Sequence, residues 1–167
     1  MDGRAAIALI GGGVALALMK MKGETVNTSK YSEQHLVLAR TIYGEARGEG
    51  EQGMQAVANV VMNRVHTDLW NDNKPDWWGE GVIEVCKKRW QFSAWNPGDP
   101  NLAKIQNLQP GANAVFDLAL LIAVKAIMGT LPDLTGGATQ YHTTSTTASW
   151  ASSMTVSNVI GNHIFYT

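Results

Sequence analysis

Cysteine is almost missing from this chain: Cys86 stands alone among 167 residues. An intramolecular disulfide is therefore excluded, as is any CxxC metal or redox pair. An excess of charge of either sign is missing too. The net charge is −1 and no basic run carries interleaved aromatics, so nothing steers the chain towards nucleic acid. The four histidines, His35, His66, His142 and His163, show no HExxH or other metal spacing, and no metal is expected. No P-loop or Rossmann glycine pattern points to a cofactor, and none is expected. Lys87 and Lys88 follow Cys86 and would lower its pKa, but no nucleophile motif surrounds it. Internal repeats and a second domain are also lacking, and the length suits one domain with a real core. Six tryptophans stand out against these absences. They serve either core packing or a binding surface.

The amino-terminal stretch differs from the rest. Residues 5–19, AAIALIGGGVALALM, form an uncharged run of fifteen, followed by Lys20, Lys22 and a polar linker. A membrane-spanning helix needs about 20 apolar residues, while the apolar part of a signal peptide needs roughly 7 to 15. Gly11, Gly12 and Gly13 weaken the run as a helix. Ala15-Leu16-Ala17 offers a small-x-small cleavage pattern. The linker sets the run apart from a buried core helix, so the reading is an export or weak membrane segment over residues 1–28. Its partners would be the host export machinery and the inner membrane. Residues 29–167 are left as the functional domain, read as a monomer.

That domain reads as mainly helical. Ser32 suits the N-cap of a helix over 33–47, with Leu36, Ala39, Tyr43 and Ala46 down one face and Gly48 and Gly50 at its end. Met54, Val57, Ala58, Val61, Met62 and Val65 mark a second helix over 51–65. Turn-forming residues fill NDNKPDWWGEG, a short helix is expected over 80–88, and RWQFSAWNPGDPN reads as irregular. Residues 111–128 are apolar nearly all round, which predicts the central buried helix. The Thr- and Ser-rich tail is expected to hold a small strand pair or ordered loops.

The chemistry concentrates in TIYGEARGEGEQG, residues 41–53, where three glutamates share thirteen positions with four glycines. Glycine is costly inside a helix, and crowded carboxylates repel. Glu45 falls near a helix C-terminus, whose negative dipole end disfavours ionisation. Burial by neighbouring aromatics would raise its pKa further, the state a general acid needs at neutral pH. Glu49 lies four residues on and would neighbour Glu45 if the helix continued. The plainer reading is that these glutamates cap or solvate a helix junction, with Arg47 as partner, and spacing alone leaves both readings open.

TIYGEARGEGEQGMQAVANVVMNRV resembles the opening motif of the cell wall hydrolase family typified by the spore-cortex-lytic enzymes, the SleB type. WQFSAWN is similar to that family's central Phe-Ser segment. YHTTSTTASWA and VIGNHIFY match its C-terminal block, in the same order. The resemblance spans roughly residues 35–167. It implies a lysozyme-like helical domain that cleaves peptidoglycan glycan strands, with Glu45 as catalytic acid. It implies that Glu49 and Arg47 support the bend and the acid, Glu49 being also the possible second carboxylate. Tyr43, Gln91, Phe92, Ser93, Tyr141 and His142 would bind substrate, while Asn162 and His163 hold the C-terminal block together.

A glycoside hydrolase usually needs two carboxylates, and this chain offers no persuasive second one beyond Glu49. The resemblance therefore favours a lytic transglycosylase, in which one glutamate gives a 1,6-anhydro product, over a water-using muramidase. With the weak apolar run, the expectation is a phage endolysin of the signal-arrest-release kind: anchored on the periplasmic side of the host inner membrane, then released to the periplasm. A bacterial wall-remodelling enzyme with an ordinary signal peptide stays open, as does an inactive peptidoglycan-binding or structural phage module.

Overall fold

The structure is a computed structural model and describes residues 30–68, 71, 74 and 76–167. The expectations for residues 1–28 lie outside the described residues.

Among the described residues, five α-helices and a small sheet build the domain. Helix α1, Glu33–Ala46, starts at Ser32, whose extended backbone and short polar side chain suit an N-cap. The Nδ1 of His35 takes the part usually played by a glutamate oxygen in a capping box. It accepts the Ser32 N–H at 3.1 Å and pairs with the Ser32 hydroxyl at 2.8 Å. Helix α2, Gly50–His66, follows after three residues. Gly50 turns the chain between the helices at φ +69°, a left-handed conformation natural to glycine. Helices α3, Gly81–Lys87, α4, Leu102–Ile105, and α5, Ala114–Ile127, complete the set. Of these, α4 is a single turn inside the stretch expected to be irregular. Asn113 caps α5, its side chain accepting the Phe116 N–H at 2.9 Å.

The central helix is α1, not α5. It packs against all four other helices, and Val37, Leu38, Ala39 and Ile42 are fully buried. α5 lies along α1 and α2 with an outer edge at Val115, 39% exposed. Hydropathy misled because α1 spends its polar side chains on tertiary hydrogen bonds. The Thr41 hydroxyl donates to Val37 O at 2.9 Å and accepts the Trp95 indole N–H at 2.9 Å. The Arg40 guanidinium holds Leu108 O at 2.9 Å, and Arg47 holds the Asn101 side chain at 2.8 Å. These side chains clamp residues 95–108 onto α1.

α2 divides two cores. Met54, Val57, Ala58 and Val61 face the helices, while Ala56 and Val60 meet Ala138 and Phe165 under the sheet. Its polar edge holds the segment leading into that sheet. Asn59 donates to Pro132 O and accepts the Leu134 N–H, and Asn63 donates to Ala138 O at 3.0 Å. Three strands stand where a pair was expected: β1 Gln140–Thr143, β2 Val156–Ile160 and β3 His163–Tyr166. The sheet is antiparallel in the order β1-β3-β2, with Tyr141 opposite Phe165 and His142 opposite Ile164. β1 is therefore an edge strand, free on one side to border a cleft.

Candidate active site

Glu45 sits in the last turn of α1, and two segments distant in sequence converge on it. The Ala94 N–H donates to Oε1 at 3.0 Å, and the Tyr141 hydroxyl donates to Oε2 at 3.1 Å. Ala94 belongs to a 3₁₀ turn, Ser93–Trp95, that lies hard against α1. The close approach needs glycine at position 44: a Cβ there would stand 2.6 Å from the Ala94 Cβ. This accounts for one of the motif's glycines in physical terms. Burial raises the Glu45 pKa, the negative charge of Asp99 adds to the rise, and the Ala94, Tyr141 and Ser93 donors oppose it. The net effect is upward, so the carboxyl holds its proton to higher pH than an ordinary glutamate.

Around Glu45 opens a cleft of about 500 Å³, lined also by Gln91, Ser93, Asn96, Gln140, Tyr141 and Arg64, with Trp77, Trp90, Trp150 and Met154 as its apolar surfaces. Among the described residues, Glu45 is the one carboxylate lining it. Gln91, Ser93 and Tyr141 thus stand at the cleft as the sequence implies.

Three expected cleft residues do not. Phe92 is fully buried in the helical core, because its neighbours Gln91 and Ser93 turn outward while it turns in. Tyr43 lies two residues before Glu45, about 200° round the helix. It packs edge-on to Phe116 with the Arg47 guanidinium 5.5 Å from its ring centre. His142 follows Tyr141 on β1 and faces the other side of the sheet. Its Nδ1 lies 2.8 Å from Thr143 O, which can only accept, so Nδ1 donates there, and Nε2 lies 2.8 Å from the Tyr166 hydroxyl. His142 and Tyr166 both pack against Trp150 and so prop a cleft wall from behind.

Glu49 is no second carboxylate for the cleft. Its two oxygens accept the Asn162 backbone N–H at 2.9 Å and side-chain amide at 3.1 Å, tying the α1–α2 junction to the β2–β3 turn. These donors, and the nearby His163, lower its pKa. The carboxylate whose charge reaches Glu45 is instead Asp99. Arg47 bonds Gly44 O and Asn101, supporting the bend from outside the cleft. Asn162 and His163 do hold the C-terminal block: the buried His163 ring meets Tyr141 edge-on, 5.1 Å between centres. Burial makes His163 harder to protonate. Cys86 is buried and its thiol is pushed up to about 12, which leaves no thiolate for a cysteine hydrolase.

Arg64 is the principal residue that sequence reasoning missed. It is 3% exposed yet lines the cleft. Its Nε donates to Thr139 O at 2.7 Å and its Nη2 to the Gln140 side chain at 3.2 Å, while the guanidinium lies over the Phe92 ring. Burial lowers its pKa to about 10. A signal was present: Arg64 falls seven residues after Val57 and three after Val61, on the buried stripe of α2. A cation at a core-facing position requires partners.

A helical domain with a small sheet, and a single carboxyl of raised pKa in a cleft edged by tryptophans, has the features of a lysozyme-like fold. The chain belongs to the cell wall hydrolase family, whose description, Cell Wall Hydrolase, matches over residues 48–166. The match begins three residues after Glu45, so the place of Glu45 rests on the cleft geometry. A spore cortex-lytic enzyme of Halalkalibacterium halodurans is 32% identical over 137 residues, covering 81% of this chain and 35% of that protein. The chain therefore spans about a third of the length of that curated relative. Among solved structures, the catalytic domain of the germination-specific lytic transglycosylase SleB from Bacillus anthracis is similar with a TM-score of 0.61 and 29% identity. That likeness covers 82% of this chain and 97% of the other. The catalytic domain of the Bacillus cereus SleB protein gives a TM-score of 0.60 at 29% identity, over 88% of this chain and 100% of the other.

Proposed function

We propose that this chain cleaves the β-1,4 bond between N-acetylmuramic acid and N-acetylglucosamine in peptidoglycan, as a lytic transglycosylase. The observation that carries the reading is the lone carboxyl of the cleft. Burial raises the Glu45 pKa, which favours the protonated acid, and two donors stand ready for its charge once the proton has left. The carboxyl gives its proton to the glycosidic oxygen as the C1–O bond breaks. Glu45, now a carboxylate held by Ala94 and Tyr141, takes the proton of the C6 hydroxyl of the muramic acid. That oxygen closes on C1, giving a 1,6-anhydro ring with no water consumed. A two-carboxylate hydrolysis, the runner-up reading as a water-using muramidase, would need a second acid at about 5 to 9.5 Å, and Glu45 is the one carboxylate lining the cleft among the described residues.

Digestion of purified peptidoglycan in oxygen-18 water separates the two. Anhydro termini without label are expected, and label at the muramic acid end would sink the transglycosylase reading. Glu45→Gln should leave no clearing in a peptidoglycan gel. Clearing by that variant would remove Glu45 from the reaction, and no clearing by the parent would favour an inactive binding module.

The cellular role proposed is that of a phage endolysin, supported by the sequence of residues 5–19 alone. At fifteen residues a helix spans roughly 22 Å, short of the roughly 30 Å hydrocarbon core. Export, weak anchoring in the inner membrane and release to the periplasm at unchanged length follow from that shortfall. Replacing Gly11, Gly12 and Gly13 by leucine should hold the protein in the membrane and delay lysis. A soluble form shortened near Ala17 would mean a cleaved signal peptide, and a protein found only in the cytoplasm would defeat both.

A further inference from the structure

Trp90 stands where turn chemistry asks for glycine. The turn Lys88–Gln91 leaves α3 and is closed by the Gln91 N–H donating to Lys88 O at 3.1 Å. Its third residue, Trp90, has φ +70°. Glycine or asparagine usually fills a left-handed third position, and a bulky side chain there is strained. The Asn96 side chain fixes the strained unit by accepting the Trp90 N–H at 3.0 Å. The indole that results is 69% exposed, one of the most open large apolar side chains described. Two unfavourable features, a strained backbone and an apolar ring in water, thus coincide at one residue. Among the described residues of the domain, only the Asn96 bond and the Arg89 guanidinium over one ring face offset them.

Both make sense if the ring has an outside occupant. Trp90 and Asn96 border the Glu45 cleft together, with Trp77, itself 50% exposed, on the same cleft. The Arg89 guanidinium covers one face of the indole, 4.9 Å from a ring centre. We propose that the other face of Trp90 is a sugar-stacking subsite for the glycan strand, placed at the rim of the cleft by the strained turn. This rests on the glycan-cleaving reading above. An N-acetylated pyranose presents an apolar C–H face that matches an indole, and hydroxyl and amide groups at its edge that match Gln91 and Asn96. Strain of this kind persists at ligand sites because the ring must be held in one place before the ligand arrives.

The test uses the full chain in a Glu45→Gln background, which binds without turnover, and measures co-sedimentation with purified peptidoglycan sacculi. Trp90→Ala should weaken binding about tenfold, in the range expected for one lost aromatic stack. Trp90→Phe should lose less. Trp90→Gly should bind as poorly as Trp90→Ala yet melt above it by roughly 2 °C or more, because it loses the ring and relieves the strain together. A general unfolding effect would not give that ordering. Sacculus binding by Trp90→Ala equal to the background would overturn the subsite. A Trp90→Gly variant melting below Trp90→Ala would overturn the strained-turn argument. Cleavage is read separately on the chain with Glu45 intact. Absent cleavage with Trp90-dependent binding strikes the reaction and leaves the subsite standing, whereas cleavage with Trp90-independent binding strikes the subsite alone.

Discussion

Gly44→Ala should damage the reaction far more than the fold. In a helix interior alanine is favoured over glycine by about 1 kcal/mol. Here the added Cβ would stand 2.6 Å from the Ala94 Cβ, where carbon atoms settle at roughly 3.5 to 4.0 Å. The Ser93–Trp95 turn must therefore retreat by about 1 Å. Overpacking of this size costs about 1–3 kcal/mol. Net of the helix gain, stability should fall by roughly 0–2 kcal/mol, a loss in Tm of up to about 8 °C. The same retreat stretches the Ala94 N–H bond to Glu45, now 3.0 Å, beyond hydrogen-bond range. A misplacement of that size near the chemistry can cost about 100-fold in rate. Losing a donor that lowers the Glu45 pKa also moves the alkaline limb of the pH–kcat/KM profile upward. Thermal melts and peptidoglycan turnover over a pH series measure all three effects. Ala94→Gly in the same chain removes the clashing methyl and should restore much of the rate. Parental kcat in Gly44→Ala, or a Tm raised as helix propensity alone predicts, would refute the close-approach argument.

Three further outcomes are expected. Tyr141→Phe removes a donor from Glu45 Oε2, so its pKa should rise and the alkaline limb of the rate profile shift up, while a downward shift would contradict the assigned hydrogen bond. Glu45→Gln should change stability in a pH-dependent way. The wild-type pKa is raised by burial, so wild-type stability falls as pH climbs from the ordinary glutamate range through the folded value. The glutamine variant lacks that fall, and the Tm difference between the two should grow in its favour from acid to neutral pH. Glu49→Gln should lower Tm modestly at neutral pH and not in acid, because a depressed pKa stabilises only above the ordinary range. Its kcat should stay near the parent's, and a dead enzyme with a normal melt would move Glu49 into the chemistry.

Helices α1 and α2 were legible in the sequence, and the reason is periodicity. Apolar residues at helical spacing mark α1 and α2 within a residue or two of Glu33–Ala46 and Gly50–His66. Three ordered motifs single out Glu45, Gln91, Ser93 and Tyr141. Periodicity also held information that motif reading passed over. Tyr43 is on the wrong side of the helix from Glu45, His142 alternates with Tyr141 on a strand, and Arg64 lies on the apolar stripe of α2. What a stripe cannot say is what it will be buried against. An all-apolar helix looked central, yet α1 took that place, its polar side chains consumed by bonds to residues far along the chain. The contacts that define the site are of the same kind. Ala94 reaches Glu45 across 49 residues and Tyr141 across 96. Arg64 finds the carbonyl of Thr139 75 residues away. Each depends on where the whole chain closes, and so does the burial that raises the Glu45 pKa. The sequence by itself determined which residue types were available and which faces turn inward. Only the tertiary structure decided which groups meet at the carboxyl, because a local pattern encodes exposure and a distant partner is chosen by packing.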